Sequence, residues 1–120
     1  MRHDLDFRFE GDVDSWFKDN YFYFGFDWVI DFWPGDFLGY INDTPVIIEL
    51  EYYSSGVWFH EWHIRKYFDY LICFHMNEID KIRFENASMK WIAIDEVFKD
   101  EIQKERTQRM CKMLGISNPF

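Results

Sequence analysis

The sequence predicts an α+β (equally, α/β) layer fold, a mixed central β-sheet flanked by helices. Three observations predict it. Apolar runs of strand length, bounded by Gly, Pro, Asn and Asp, recur through the middle of the chain. Segments with helical spacing of apolar residues stand near both ends. Aromatic residues make up 22% of the 120 residues, 14 of them Phe, and large rings let a short chain bury a substantial core. At this length one domain spanning residues 1–120 is expected.

Leu5, Phe7 and Phe9 alternate with charged residues, the pattern of a short strand or extended arm that Gly11 breaks. Asp12 or Asp14 is placed to cap a helix from Val13 to about Asn20, with Trp16 and Phe17 on its apolar side. Residues 25–33, rich in Trp, Val, Ile and Phe, read as a strand that Pro34 and Gly35 end. A hairpin follows, with Asp36–Ile41 and Val46–Tyr53 as arms and Asn42, Asp43, Thr44 and Pro45 as the turn. Ser54–Trp58 reads as a loop and His60–Asp69 as one or two helical turns. Asp69–Met76 is a compact apolar run, so a buried strand, and Asn77–Asn86 is a polar connection. Met89–Asp95 is a further strand. Asp95–Leu114 lacks Gly and Pro and forms the last helix, its apolar face drawn from Val97, Phe98, Ile102, Met110, Met113 and Leu114, with Gly115 as its stop.

The net charge of −9 lies almost wholly in residues 1–53, which hold 12 acids and 3 bases. Such a chain repels phosphate and is a poor generic nucleic-acid binder, so a site for nucleic acid requires a neutralising cation. In the last helix Lys99, Arg106, Arg109 and Lys112 form either a stripe that meets phosphate or a solvated face balanced by Glu101 and Glu105. Cys73 and Cys111 belong to no Cys-x-x-Cys pair and read as reduced thiols of a cytoplasmic protein. There is no signal-type apolar core at the N-terminus and no run of the ~20 apolar residues a bilayer span needs, so no membrane partner is expected.

The hairpin carries the chemistry. With Ile41 opposite Val46, Leu38 falls opposite Glu49 and Asp36 opposite Glu51. Side-chain alternation then puts Asp36, Leu38, Glu49 and Glu51 on one face. Carboxylates converging in an otherwise apolar strand repel unless a cation or a shared proton relieves them. Mg²⁺ or Mn²⁺ suits an all-oxygen set of Asp36, Glu49, Glu51 and the backbone carbonyl of Leu50. His60 is placed to orient phosphate or water beside the hairpin. His60 and His63 with Glu61 read His-Glu-x-His, one residue short of the zincin spacing; a zinc-dependent hydrolase using the two histidines is the weakest option. Ser54 and Ser55 lie in no nucleophile elbow and read as a turn at the strand end.

Pro34-Gly35-Asp36 followed by Glu49-Leu50-Glu51 resembles the core of the PD-(D/E)XK, or restriction endonuclease-like, nuclease superfamily, in which an Asp starts the second core strand and Glu-x-Lys lies on the third. Ser54, Ser55, His60 and Asp69-Tyr70-Leu71-Ile72-Cys73-Phe74 extend the likeness to a Glu-x-Glu branch, over roughly residues 34–75. The chain departs from the pattern in the Gly before Asp36 and in Glu51, which takes the usual lysine position and supplies no positive charge; Lys66 is a candidate to replace it. The superfamily often adds an acid from its first helix, for which Asp14 is the first candidate here and Glu10 the second. The resemblance implies a restriction endonuclease-like core, Mg²⁺ or Mn²⁺ as cofactor, and phosphodiester hydrolysis of nucleic acid, DNA in preference to RNA. Asp36, Glu49, Glu51 and His60 would be catalytic. Cutting both strands would require a homodimer, formed through the last helix or an exposed aromatic strand. The alternative is an inactive, acidic interaction module of the same fold that binds a protein partner.

Overall fold

A computed structural model describes residues 7–32, 36–60 and 68–119, with the side chains of 58–60 excepted. Helix α1 (Glu10–Asn20) leads through a 3-10 turn (Tyr21–Phe24) into strands β1 (Trp28–Asp31), β2 (Phe37–Ile41) and β3 (Thr44–Tyr53). A 3-10 helix (Ser54–His60) precedes β4 (Tyr70–His75), α2 (Glu78–Asn86), β5 (Lys90–Ala93), the short α3 (Ile94–Val97) and α4 (Lys99–Leu114). The five strands lie in the order β1-β2-β3-β4-β5; the first three form an antiparallel meander, and β4 and β5 run parallel to β3. This is the mixed sheet with flanking helices that the sequence predicts.

Each face of the sheet has its own core. Val46, Ile48 and Leu50 of β3, with Phe37, Ile72 and Phe74, meet Val13, Trp16 and Phe17 of α1. Phe17 sits at the centre of a ring cluster, 5.8 Å from Phe26 edge to face and 5.6 Å from Phe37. Much of the aromatic content is used here, as mutually oriented rings that bury large area. The Tyr52 hydroxyl donates to the Phe7 carbonyl and ties the chain start to the sheet. On the opposite face Leu71, Cys73 and Ala93 pack against Val57, Phe68, Met76 and Phe84. Buried on both faces, β4 shows the continuous apolar run expected of a parallel strand.

The hairpin is tighter than the sequence suggests. Its turn is Asn42 and Asp43 alone, both left-handed at φ 51° and 59°, and Ile41 pairs with Thr44. Two residues with positive φ give the turn whose twist matches the flanking strands, and Asn and Asp tolerate it better than other non-glycine residues. Thr44 and Pro45 therefore belong to β3, not to the turn. Pro45 is tolerated because its nitrogen points away from β2, at a level where β4 has not yet joined the sheet. The register moves by two: Asp36 comes level with Glu49 rather than Glu51. An even shift leaves every side chain on its expected face.

Other elements differ from expectation for local reasons. Helix α1 starts at Glu10, and Gly11 lies inside its first turn, where a Cβ would come within 2.6 Å of the Phe9 ring. Residues 77–86 hold a helix, because the Asn77 side chain caps the Asp80 N–H at 2.8 Å. The last helix is interrupted at Phe98, and its burial is sparse: Phe98, Ile102 and Cys111 are buried, whereas Val97, Met110, Met113 and Leu114 are exposed.

Candidate metal centre

Strand β3 is ten residues long and β2 only five, so β3 continues past the end of its antiparallel neighbour. Asp36 stands at this split. Its N–H donates to the Ile48 carbonyl at 3.0 Å, and its Oδ2 accepts from the Leu50 N–H at 2.8 Å. The carboxylate thereby takes the ladder position that β2 vacates. A strand residue presents its N–H and C=O to the same side. The Leu50 carbonyl therefore faces the same split as Asp36.

Glu49 and Glu51 project from the face opposite α1, in a sheet row whose β4 neighbours are the apolar Leu71 and Cys73. Only 7% of Glu49 is exposed. Burial, first, pushes its carboxyl well above the usual carboxylate range. A hydrogen bond with Asp36 and the negative charges of Asp36, Glu51 and Glu10 push in the same direction. Burial likewise raises Glu51 to about 8, helped by Glu10 and Asp36. Gly56 keeps room for Glu51: a Cβ there would lie 2.5 Å from its Oε2.

The helical acid that joins this group is Glu10, the second candidate. Asp14, the first, is engaged elsewhere, 3.3 Å from Lys18, which also lies 3.7 Å from Asp31. Glu10 opens α1, which begins one turn earlier than its apolar pattern indicates, and its charge is felt at Glu49 and Glu51. The advance signal was weak: Glu10 is simply the first acid before the helical run. His60 ends the 3-10 helix, but its side chain lies outside the described residues, as do Pro34, Gly35, His63 and Lys66.

Other candidates have structural roles. Ser54 is fully buried; its hydroxyl donates to Asp80 at 2.6 Å and accepts from the Asn77 N–H at 3.1 Å, fastening the strand end to α2. Burial pushes the Cys73 thiol far up, away from reactive thiolate. His75 is half exposed, with Nδ1 2.5 Å from Asp95 Oδ2.

The carboxylates of Asp36, Glu49 and Glu51 and the Leu50 carbonyl are oxygen donors of the kind hard divalent cations take. Among the described residues no three such side chains already close around one point. The group is held together by backbone geometry while its charges oppose one another, and positive charge placed among them would reverse each upward shift. Among the described residues no helix is long and apolar enough to cross a membrane. No protein-family model matches the chain, and comparison with curated proteins and with solved structures finds no match.

Proposed function

We propose that the chain is a metal-dependent nuclease-like domain that hydrolyses phosphodiester bonds in nucleic acid, DNA in preference to RNA, with Mg²⁺ or Mn²⁺ as cofactor. The observation that carries this is the placement of Asp36, Glu49 and Glu51 on one face beside the split between β2 and β3, with Asp36 hydrogen-bonded to the buried Glu49.

Asp36, Glu49 and the Leu50 carbonyl would hold the cation, with Glu51 as a third ligand or as a base. A divalent ion bound there supplies polarisation of a phosphate oxygen and activation of water. As a base, Glu51 would take the proton of the attacking water once bound positive charge has brought its carboxyl back to the ionised form, and the leaving oxygen would take a proton from solvent as the phosphorus–oxygen ester bond breaks. The exposed Met110, Met113 and Leu114 of α4 offer an apolar contact for a homodimer, which cleavage of both strands would need.

One observation favours the second reading, an inactive module that binds a protein: Glu51, where the superfamily carries lysine, adds negative charge to a chain already at −9. Incubation of single- and double-stranded oligonucleotides with Mn²⁺ decides between them. The nuclease reading expects cleavage by the wild type and none by Glu49→Gln. Intact substrate after long incubation with wild-type protein that binds Mn²⁺ would favour the inactive module.

A further inference from the structure

The face of the sheet opposite α1 is covered unevenly. Among the described residues its buried cluster gathers on β4 and β5 and reaches no farther across than Ile47 of β3. Beyond Ile47, on β2 and β1, the same face is apolar and more open. Register sets Tyr40 opposite Trp28 in one row and Leu38 opposite Ile30 in the next. The Trp28 and Tyr40 rings stack 5.3 Å apart, with planes 5° from parallel. Tyr40 covers one side of the indole, yet Trp28 is 39% exposed, and Ile30 is 54% exposed. Two residues before Leu38, on the same face, Asp36 stands at the split, level with Glu49. The apolar rows therefore lead into the acidic group, with Tyr40 about 13 Å along the strand from Asp36.

Two properties of this track select its occupant. Strands β1, β2 and β3 carry no Lys, Arg or His. A duplex is held chiefly by cationic contacts to its phosphates, and its bases are already stacked on one another. Such a surface offers a duplex little. It offers an unpaired base an aromatic stack to extend, and stacking requires no charge on the protein. An apolar peptide would cover the rings as well, but it would leave the acids at the end of the track unanswered. A flexible single strand engages both parts: its bases lie on the rings, and its phosphate meets the acids through their cation.

We propose that the carboxylate site acts on single-stranded DNA in preference to duplex, with unpaired bases stacked on Trp28 and laid along Ile30 and Leu38. This rests on the nuclease reading of that site. The test is cleavage, with Mn²⁺, of one oligodeoxynucleotide as a single strand and as a blunt duplex. The wild type should cleave the single strand about tenfold faster or more. Trp28→Ala should lose about tenfold on the single strand, whereas Trp28→Phe, which keeps a ring, should retain most of the activity. Calorimetry should find the Mn²⁺ affinity of both variants unchanged. Added salt should slow single-strand cleavage only slightly, since the track pairs no lysine or arginine with phosphate. Equal or faster cleavage of the duplex overturns the proposal and leaves the nuclease reading standing. Full activity in Trp28→Ala does the same, as does a fall in its Mn²⁺ affinity that matches its loss of cleavage. Cleavage of neither form by wild type that binds Mn²⁺ ends the nuclease reading and this proposal with it. Circular dichroism verifies that Trp28→Ala is folded; if it is not, the strand preference of the wild type decides alone.

Discussion

The Leu50 N–H donates to the Asp36 carboxylate at 2.8 Å, joining two strands where their backbone ladder stops. The bond fixes Asp36 beside the buried Glu49 and gives the acidic group its shape. Asp36→Ala leaves the Leu50 N–H without its acceptor. We expect a loss of about 1–3 kcal/mol, offset in part by relief of the charge beside Glu49. Asp36→Asn keeps an acceptor oxygen and removes the charge. It should cost less than Ala and move the Glu49 carboxyl back toward its ordinary range; urea midpoints and carboxyl NMR titrations measure the two effects.

Stability should depend on pH in a defined sense. The folded protein raises Glu51 from 4.5 to about 8, and Glu49 moves the same way. Between these limits the folded chain retains protons that the unfolded chain has released. Stability is therefore fullest below about pH 4.5 as far as these two groups are concerned, and falls as pH rises through 8. The slope is about 1.4 kcal/mol per pH unit for each retained proton. Urea denaturation from pH 5 to 9 should show the decline in chelator and a flatter profile with saturating Mn²⁺.

Gly56→Ala places a methyl group where the Glu51 carboxylate now lies. The carboxylate is the flexible end of its side chain and can move aside, so the fold should lose less than about 1 kcal/mol. Mn²⁺ affinity should fall several-fold, because a displaced ligand no longer reaches the split. Calorimetry beside a thermal melt separates the two effects.

Glu51→Lys exchanges an acid of this group for a cation. A cation beside Glu49 and Asp36 should raise stability at pH 8, where the wild-type acids repel one another. If the site acts on phosphodiesters, cleavage of an oligonucleotide with Mn²⁺ should fall about tenfold or more, because the variant loses the ligand or base that Glu51 supplies.

The hairpin turn permits a test of register. Asp43 has φ 59°, a conformation that costs a non-glycine residue and that glycine adopts freely. Asp43→Gly completes an Asn-Gly turn and should stabilise the protein by about 0.5–1 kcal/mol. A longer turn, with Ile41 opposite Val46, would gain nothing specific from glycine there.

The sheet was legible in the sequence because β3 and β4 combine apolar runs with clear boundaries. The shared face of Asp36, Glu49 and Glu51 was legible because alternation along a strand survives any even error in register. The pairing itself was not, since Thr44 and Pro45 look like turn residues while the chain uses them as strand. Helix α2 was hidden because its Ile79 and Ile82 face outward and only Asp80 and Phe84 are buried, which leaves no apolar stripe to detect. The same limit misled in the opposite direction for α4, where Met110, Met113 and Leu114 look like core and are exposed. Glu10 ranked below Asp14 because α1 starts three residues before Val13, its first buried apolar residue, and the helical period begins only there.

Calorimetric titration with Mn²⁺ at pH 7, repeated in buffers of different ionisation enthalpy, tests the metal site most directly. We expect the wild type to bind the ion with release of protons from the buried carboxyls, and Glu49→Gln and Asp36→Ala to lose most of that binding. Absence of Mn²⁺ binding by the wild type, or equal binding by all three proteins, would contradict a cation site at the split between β2 and β3.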